Sequence, residues 1–223
     1  MMNNLFSSFD PATSKNLSMN WIIMLMIMML MSNLKWITPS RTMMMNMKLL
    51  NYLNNEFKTL LKSKNNEFIL IIISIFYFIM LSNLLGLMPY IFTSTSHLIT
   101  SMSMALPMWL SLMIFGWHKK TQFMFVHLVP NNTPNILMPF MVLIETISNL
   151  IRPISLSVRL TANMIAGHLL MTLLGNNNIN QSYSFCVLIL MTQIILMLFE
   201  TAVSLIQAYV FTTLSTLYLS ELT

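Results

Sequence analysis

Apolar residues run along this chain in long blocks separated by short polar stretches. The first block, 21–37, is brief for a membrane span. It can cross if its flanks snorkel or the bilayer thins. Trp21 and Trp36 stand near its two ends, where interfacial aromatics belong. Residues 68–88 form a second block, closed by Pro89, and 98–117 a third. Pro107 interrupts the third, which lipid-embedded helices accept when neighbours satisfy the freed carbonyl. Residues 118–135, with Lys119, Lys120, Pro130 and Pro134, read as a loop. Two much longer blocks follow, 136–174 and 185–219. As helices they reach roughly 58 and 52 Å at 1.5 Å per residue, against a hydrocarbon core of about 30 Å. Pro139 and Pro153 can kink the first, but no Gly/Asn cluster turns it. The pattern predicts a strongly tilted hairpin that turns at residues 175–182, Gly-Asn-Asn-Asn-Ile-Asn-Gln-Ser. Four short spans are the alternative.

Residues 42–64 differ in kind. Leu49, Leu50, Leu53, Phe57, Leu60 and Leu61 recur at helical spacing, and Lys48, Lys58, Lys62 and Lys64 share the segment. That predicts an amphipathic helix on a membrane surface; a helix packed on a soluble partner is the other reading. The predicted architecture is an all-α polytopic membrane protein forming a single membrane domain over residues 1–223. It has about five membrane helices, one interfacial helix and a long tilted hairpin at the end.

Composition agrees with a bilayer as solvent. The chain has 223 residues, 56% apolar and 8% charged, with mean hydropathy +0.72. Soluble domains carry about 25% charged residues. The net charge of +5 is therefore no nucleic-acid footprint. Lys35, Arg41, Lys48, Lys58, Lys62 and Lys64 follow the first span, and Lys119 and Lys120 follow the third. The connections 89–97 and 175–184 hold no Lys or Arg. Basic loops stay inside, so the N-terminus is expected outside and the C-terminus inside. The single cysteine, Cys186, builds neither a disulfide framework nor a thiolate metal site. The opening residues MMNNLFSSFDPATSKN have neither a signal-peptide nor a transit-peptide pattern. The 25 methionines point to a codon bias such as organelle genomes show.

Charge inside a membrane helix is costly, about 2.5–3.5 kcal/mol for a central Arg on insertion scales. The first long block nevertheless carries Glu145, Ser148, Asn149, Arg152, Arg159 and Asn163. On a helical wheel they fall within an arc of about 100°. The last block repeats the design, with Gln193, Glu200, Ser204 and Gln207 inside about 60°. Facing stripes would either line a wet path or zip the hairpin together through ion pairs and amide hydrogen bonds. Two arginines against Glu145 leave one cation whose counter-ion belongs on another chain. Other membrane classes fit less well. Secondary transporters show repeats and Gly-rich broken helices, whereas this chain has four glycines and no evident repeat. His97, His118, His127 and His168 lack the paired spacing of haem or copper ligands. No Gly-Lys-Ser/Thr phosphate loop is present, so the chain is expected to be non-catalytic alone, without cofactor or metal.

The stretch SNLIRPISLSVRLTANMIAGHLL, with LSVRLTANMIAGH at 156–168, resembles the signature of subunit a of F-type ATP synthases in its mitochondrial form. The block FETAVSLIQAYVFTTLSTLYL is similar to that family's final helix, and NNLFSSFDP to the start of its insect or arthropod version. The resemblance spans nearly the whole chain in the same element order. It implies the stator of a proton-driven motor, whose hairpin lies against a rotating c-ring bearing membrane-buried carboxylates. Arg159 matches the family's essential arginine. Guanidinium groups keep their proton in proteins, whereas a buried Lys can lose it. Arg159 is thus expected to hold each passing c-ring carboxylate in its ionised form and to block a direct leak. The resemblance puts Glu145 on an outlet path toward the matrix, and His168 and Glu200 on an inlet path from the intermembrane space. Asn163 and Gln207 either line that path or pack the hairpin. Arg152, Asn149, Ser148 and Ser204 are candidates for structural polar contacts, Arg152 in an interhelix ion pair. Along a straight axis Arg159 lies roughly 21 Å from Glu145 and 13 Å from His168. His168 falls on the opposite face from Arg159, so it either opens to a separate cavity or packs as a buried, satisfied histidine. Expected partners are the c-ring, the peripheral stalk, other membrane-sector subunits, the lipid bilayer and protons, with no nucleic acid. The implied location is the mitochondrial inner membrane, N-terminus toward the intermembrane space and C-terminus toward the matrix.

Overall fold

The computed structural model describes residues 5–14, 17–30, 40–61, 66–88, 91–129, 134, 136–177 and 182–222. They form seven helices and three short 3-10 turns. The helices are α1 (Ile22–Leu30), α2 (Arg41–Leu60), α3 (Asn66–Gly86), α4 (Leu98–Lys119), α5 (Thr121–His127), α6 (Met138–Asn177) and α7 (Tyr183–Leu222). The turns are Leu5–Phe9, Met19–Trp21 and Ser94–Ser96. Four helical stretches are long and apolar enough to cross a membrane: Phe68–Gly86, Leu98–Lys119, Met138–Asn177 and Tyr183–Ser220. Of the expected first span, Ile22–Leu30 is helical, and 31–39 lie outside the described residues, as do Lys62 and Lys64.

Sequence and structure part at several boundaries. The expected loop 118–135 contains α5, and α4 runs through His118 to Lys119. Neither Gly nor Pro interrupts residues 121–127, so Pro130 and Pro134 act only downstream. Trp117 and Phe125 fold the two helices together edge-to-face, with ring centroids 5.0 Å apart. The hairpin turn is shorter than expected, because α6 continues through Gly175 and Asn176 to Asn177. Gly and Asn are tolerated in a final helical turn, where carbonyls no longer need intrahelical donors. Pro139 sits in the first turn of α6, where its missing N–H costs nothing. Pro153 lies inside the continuous helix and is buried.

α7 packs against α3 and α6, α6 packs against α4, and α2 lies across α3 and α7. The shared core draws Leu53, Phe57 and Leu61 from α2 and Ile69, Ile72, Phe76 and Ile79 from α3. Leu112 of α4, Leu156 and Leu160 of α6, and Phe211 and Leu219 of α7 complete it. α2 starts under Ser40, whose side chain accepts the Met43 N–H at 3.4 Å. Its predicted apolar set divides between two directions. Leu53, Phe57 and Leu61 bury in the protein, while Leu49 and Leu60 stay exposed with Met45. Polar ties hold it as well: Asn46 Nδ2 donates to Tyr77 Oη at 3.0 Å, and Tyr209 Oη to Glu56 Oε2 at 3.4 Å. A hydrogen bond to the same Glu56 carboxylate, together with its charge, raises the Tyr52 phenol above its ordinary value.

Phe57 is 0% exposed at the junction of α2 with the bundle. Phe57→Ala should therefore lower stability by about 3–5 kcal/mol, measured as a lower denaturation midpoint in detergent. Lys48→Gln, at an exposed position of the same helix, should leave that midpoint unchanged.

Candidate functional site

Contacts between α6 and α7 fix an antiparallel register. Arg152 lies over the Tyr218 ring, 4.9 Å from its centroid. Asn163 Nδ2 donates to Gln207 Oε1 at 3.1 Å. Gly167 meets the Glu200 carboxyl, and Gly175 faces the Gln193 amide. As residue numbers rise along α6 from 152 to 175, their partners fall along α7 from 218 to 193. The polar stripe of α7 thus faces α6, with Ser204 and Gln207 buried.

The stripe of α6 does not act as one unit. Arg152 Nη2 pairs with Glu145 Oε1 at 3.6 Å across two turns of the same helix. Seven residues fall about 20° short of two full turns, and two long side chains bridge the remainder. The side chains are 30% and 27% exposed, so the pair itself contributes little stability. Arg152 therefore finds an anion on its own helix and an interhelix contact on an aromatic ring. Ser148 Oγ donates to the Glu145 carbonyl at 2.8 Å and Asn149 is half-buried. Arg159, near the middle of α6, is exposed beside Val158, Ala162 and Asn163. It has no ion-pair or hydrogen-bond partner among the described residues. The hairpin also exposes apolar residues along its length, among them Ile151, Ile154 and Val158 on α6 and Phe199 and Ile206 on α7.

Toward the Gly86 end of the bundle the geometry changes. A Cβ added to Gly167 would lie 2.7 Å from Glu200 Cδ, so only glycine admits the carboxyl in this place. Glu200 Oε1 and His168 Nε2 are buried with no hydrogen-bond partner among the described residues. Buried polar atoms of this kind call for water or a transferable proton. The His168 ring is hydrogen-bonded to the backbone of Gly86, where the last carbonyls of α3 lack helical donors. The Phe9 ring stands edge-on to it, with centroids 6.2 Å apart. His168 lines a cavity of about 650 Å³ that also touches Asp10, Asn20, Thr93 and Glu200. A second cavity, about 360 Å³, is lined by Asn83, Asn163, Ser204, Gln207 and again Glu200. Both exceed the roughly 30 Å³ that one water occupies. Glu200 borders both cavities, while His168 faces away from the side that Arg159 occupies.

Two contributors escaped the sequence reading. Asn83 of α3 is buried, donates from Nδ2 to the Ser204 carbonyl at 3.5 Å, and leaves Oδ1 unpartnered among the described residues. Its signal was a lone amide within an otherwise apolar span. The turn Leu5–Phe9 and the residues after it close one side of the larger cavity, and no periodicity marks them. Of the remaining histidines, His97 packs between Trp21 and Phe92, His118 is exposed, and the His127 side chain lies outside the described residues. Among the described residues no three His, Cys, Asp or Glu side chains gather as a metal site requires.

Gly167→Ala should displace the Glu200 side chain rather than the helices, because the clashing atoms end a flexible chain. The infrared carboxyl band of Glu200, identified by its loss in Glu200→Gln, should shift while membrane insertion is retained.

The family profile described as ATP synthase A chain matches residues 17–220. ATP synthase subunit a of Drosophila melanogaster is 55% identical over 222 residues, covering 99% of each chain. The Locusta migratoria and Aedes aegypti proteins of the same name are 54% and 55% identical, again over 99% of each chain. The chain belongs to the ATP synthase subunit a family.

Proposed function

We propose that this chain is the stator of the ATP synthase proton motor, passing protons through two offset half-channels to a c-ring that turns against Arg159. Family membership carries the coarser statement: a proton-translocating, multi-pass subunit of the ATP synthase membrane sector. Like its insect relatives, it belongs to the mitochondrial inner membrane. The finer reading rests above all on Arg159, an exposed guanidinium in the membrane-spanning α6 with no anion partner among the described residues. Lipid cannot offset that charge, whereas a passing carboxylate can, and it would be held ionised while it lies opposite the cation. Release of the proton follows from that proximity, and a permanent positive charge on the direct route opposes leakage.

The larger cavity supplies the inlet. His168 and Glu200 border it, and Glu200 hands on to the second cavity with Asn163, Ser204 and Gln207. Along this route the Asn163–Gln207 bond braces the hairpin and offers amide groups to water. Glu145, at the other end of α6 and half-exposed, stands at the outlet, with Arg152 positioning it. The orientation is supported by charge. Arg41, Lys48 and Lys58 ride on α2, and Lys119 and Lys120 close α4, while no Lys or Arg among the described residues lines the larger cavity. The cavity end is therefore assigned to the intermembrane space, with the N-terminus, and the lysine-bearing end to the matrix. The peripheral stalk and other membrane-sector subunits are the expected neighbours of the remaining apolar surface.

Arg159→Ala should abolish ATP-driven proton pumping while the complex still assembles, and Arg159→Lys should restore little of it. Pumping at the normal rate in assembled Arg159→Ala complexes would overturn the assignment. Glu200→Gln should slow proton uptake while leaving insertion intact. Proton flux equal to that of the unaltered complex at every pH would remove Glu200 from the inlet.

A further inference from the structure

The larger cavity carries one acid that the reading above leaves without a task. Asp10 lines it together with His168 and Glu200. The three differ in depth: Asp10 is exposed, His168 is half-buried, and a carboxyl oxygen of Glu200 is buried outright. Asp10 is also held in place. His97 Nε2 lies 3.0 Å from the Phe9 carbonyl, and Asn20 Nδ2 donates to the Asp10 carbonyl at 3.4 Å. The Phe9 ring abuts His168. One oxygen of Asp10, Oδ1, accepts the Ala12 N–H at 3.0 Å and makes a local turn. The other, Oδ2, has no partner among the described residues.

From this placement we infer that Asp10 is the proton-collecting carboxylate of the outer half-channel, fixed at its rim by the N-terminal strap. The inference rests on the inlet reading of His168 and Glu200. Oδ2 takes a proton from bulk water, releases it to water in the cavity, and returns to the carboxylate form. A carboxylate at the mouth of a cavity raises the local proton concentration and the capture rate, and no Lys or Arg among the described residues lines this one. Among the described residues the titratable groups around it are His97 from the α3–α4 connection, His168 from α6 and Glu200 from α7. The Met19–Trp21 turn adds only the neutral Asn20.

Asparagine preserves the turn, since its amide oxygen accepts the same N–H, but it cannot bind the proton. The test uses assembled ATP synthase in vesicles, with ATP synthesis driven by an imposed proton gradient at varied outer pH. Asp10→Asn should be slower by about tenfold at alkaline outer pH, the low end of focusing effects in charged clefts. It should converge on the unaltered rate at acid outer pH, and Asp10→Glu should restore most of the loss. Two results overturn the inference: Asp10→Asn rates equal to the unaltered complex throughout, or a pH-independent loss that Glu does not rescue. A parallel Glu200→Gln measurement separates the two levels. If it blocks flux while Asp10→Asn is silent, only the rim assignment falls. If Glu200→Gln is also silent, the inlet reading falls and takes this one with it.

Discussion

A guanidinium near the middle of a membrane helix costs about 2.5–3.5 kcal/mol on insertion scales, and Arg159 has no carboxylate partner among the described residues to offset that cost. The surrounding structure keeps it so. Glu145, an acid of the same helix, is drawn to Arg152 at 3.6 Å. Glu200, the acid of the facing helix, lies over Gly167, two turns further along, and opens onto cavities. Asn163 and Gln207, the nearest interhelix polar pair, satisfy each other. Among the described residues neither Glu145 nor Glu200 reaches the Arg159 guanidinium. In the proposed mechanism a moving carboxylate fills that place and leaves it again.

The hairpin makes this arrangement possible by dividing polar work along its length. Near the lysine-bearing end, Arg152 holds the helices together through its ring contact with Tyr218, while its ion pair with Glu145 stays within α6. At mid-height one amide bond does so. Toward the Gly86 end the helices meet through glycine, so a carboxyl is admitted without a hydrogen-bond partner among the described residues. Interhelix hydrogen bonds in membranes contribute only about 0.6 kcal/mol on average. Most of the hairpin's rigidity must therefore come from packing on α3 and α4, where Leu156, Leu160, Phe211 and Leu219 are buried. The side turned away from that core remains apolar and uncovered in the single chain, as a surface meant for a neighbour would be.

Two peripheral elements complete the site from outside the hairpin. α2 uses one apolar edge to seat itself on α3 and α7 and keeps another outward, so it braces the bundle while leaving apolar surface uncovered. The N-terminal strap is anchored by bonds to its backbone rather than by a hydrophobic stripe. Such anchoring positions polar side chains over a cavity without filling it.

Hydrophobic patterning alone determined the fold class, the presence of two long helices and the identity of the costly charges. Block length and helical spacing are local properties, and the energetic cost of charge in lipid does not depend on neighbours. The spacing of Glu145, Arg152 and Arg159 was legible too, but their separation into a pair and a lone cation was not. It depends on side-chain reach and on Tyr218, which arrives from the far end of the chain. Asn83, Phe9 and Asp10 join the cavity only because α3 and the N-terminal strap fold against the hairpin. No period in the sequence encodes contacts between segments so far apart. Tertiary packing decided which polar atoms found partners and which were left open, because satisfying a buried group requires three-dimensional proximity that one-dimensional order does not carry.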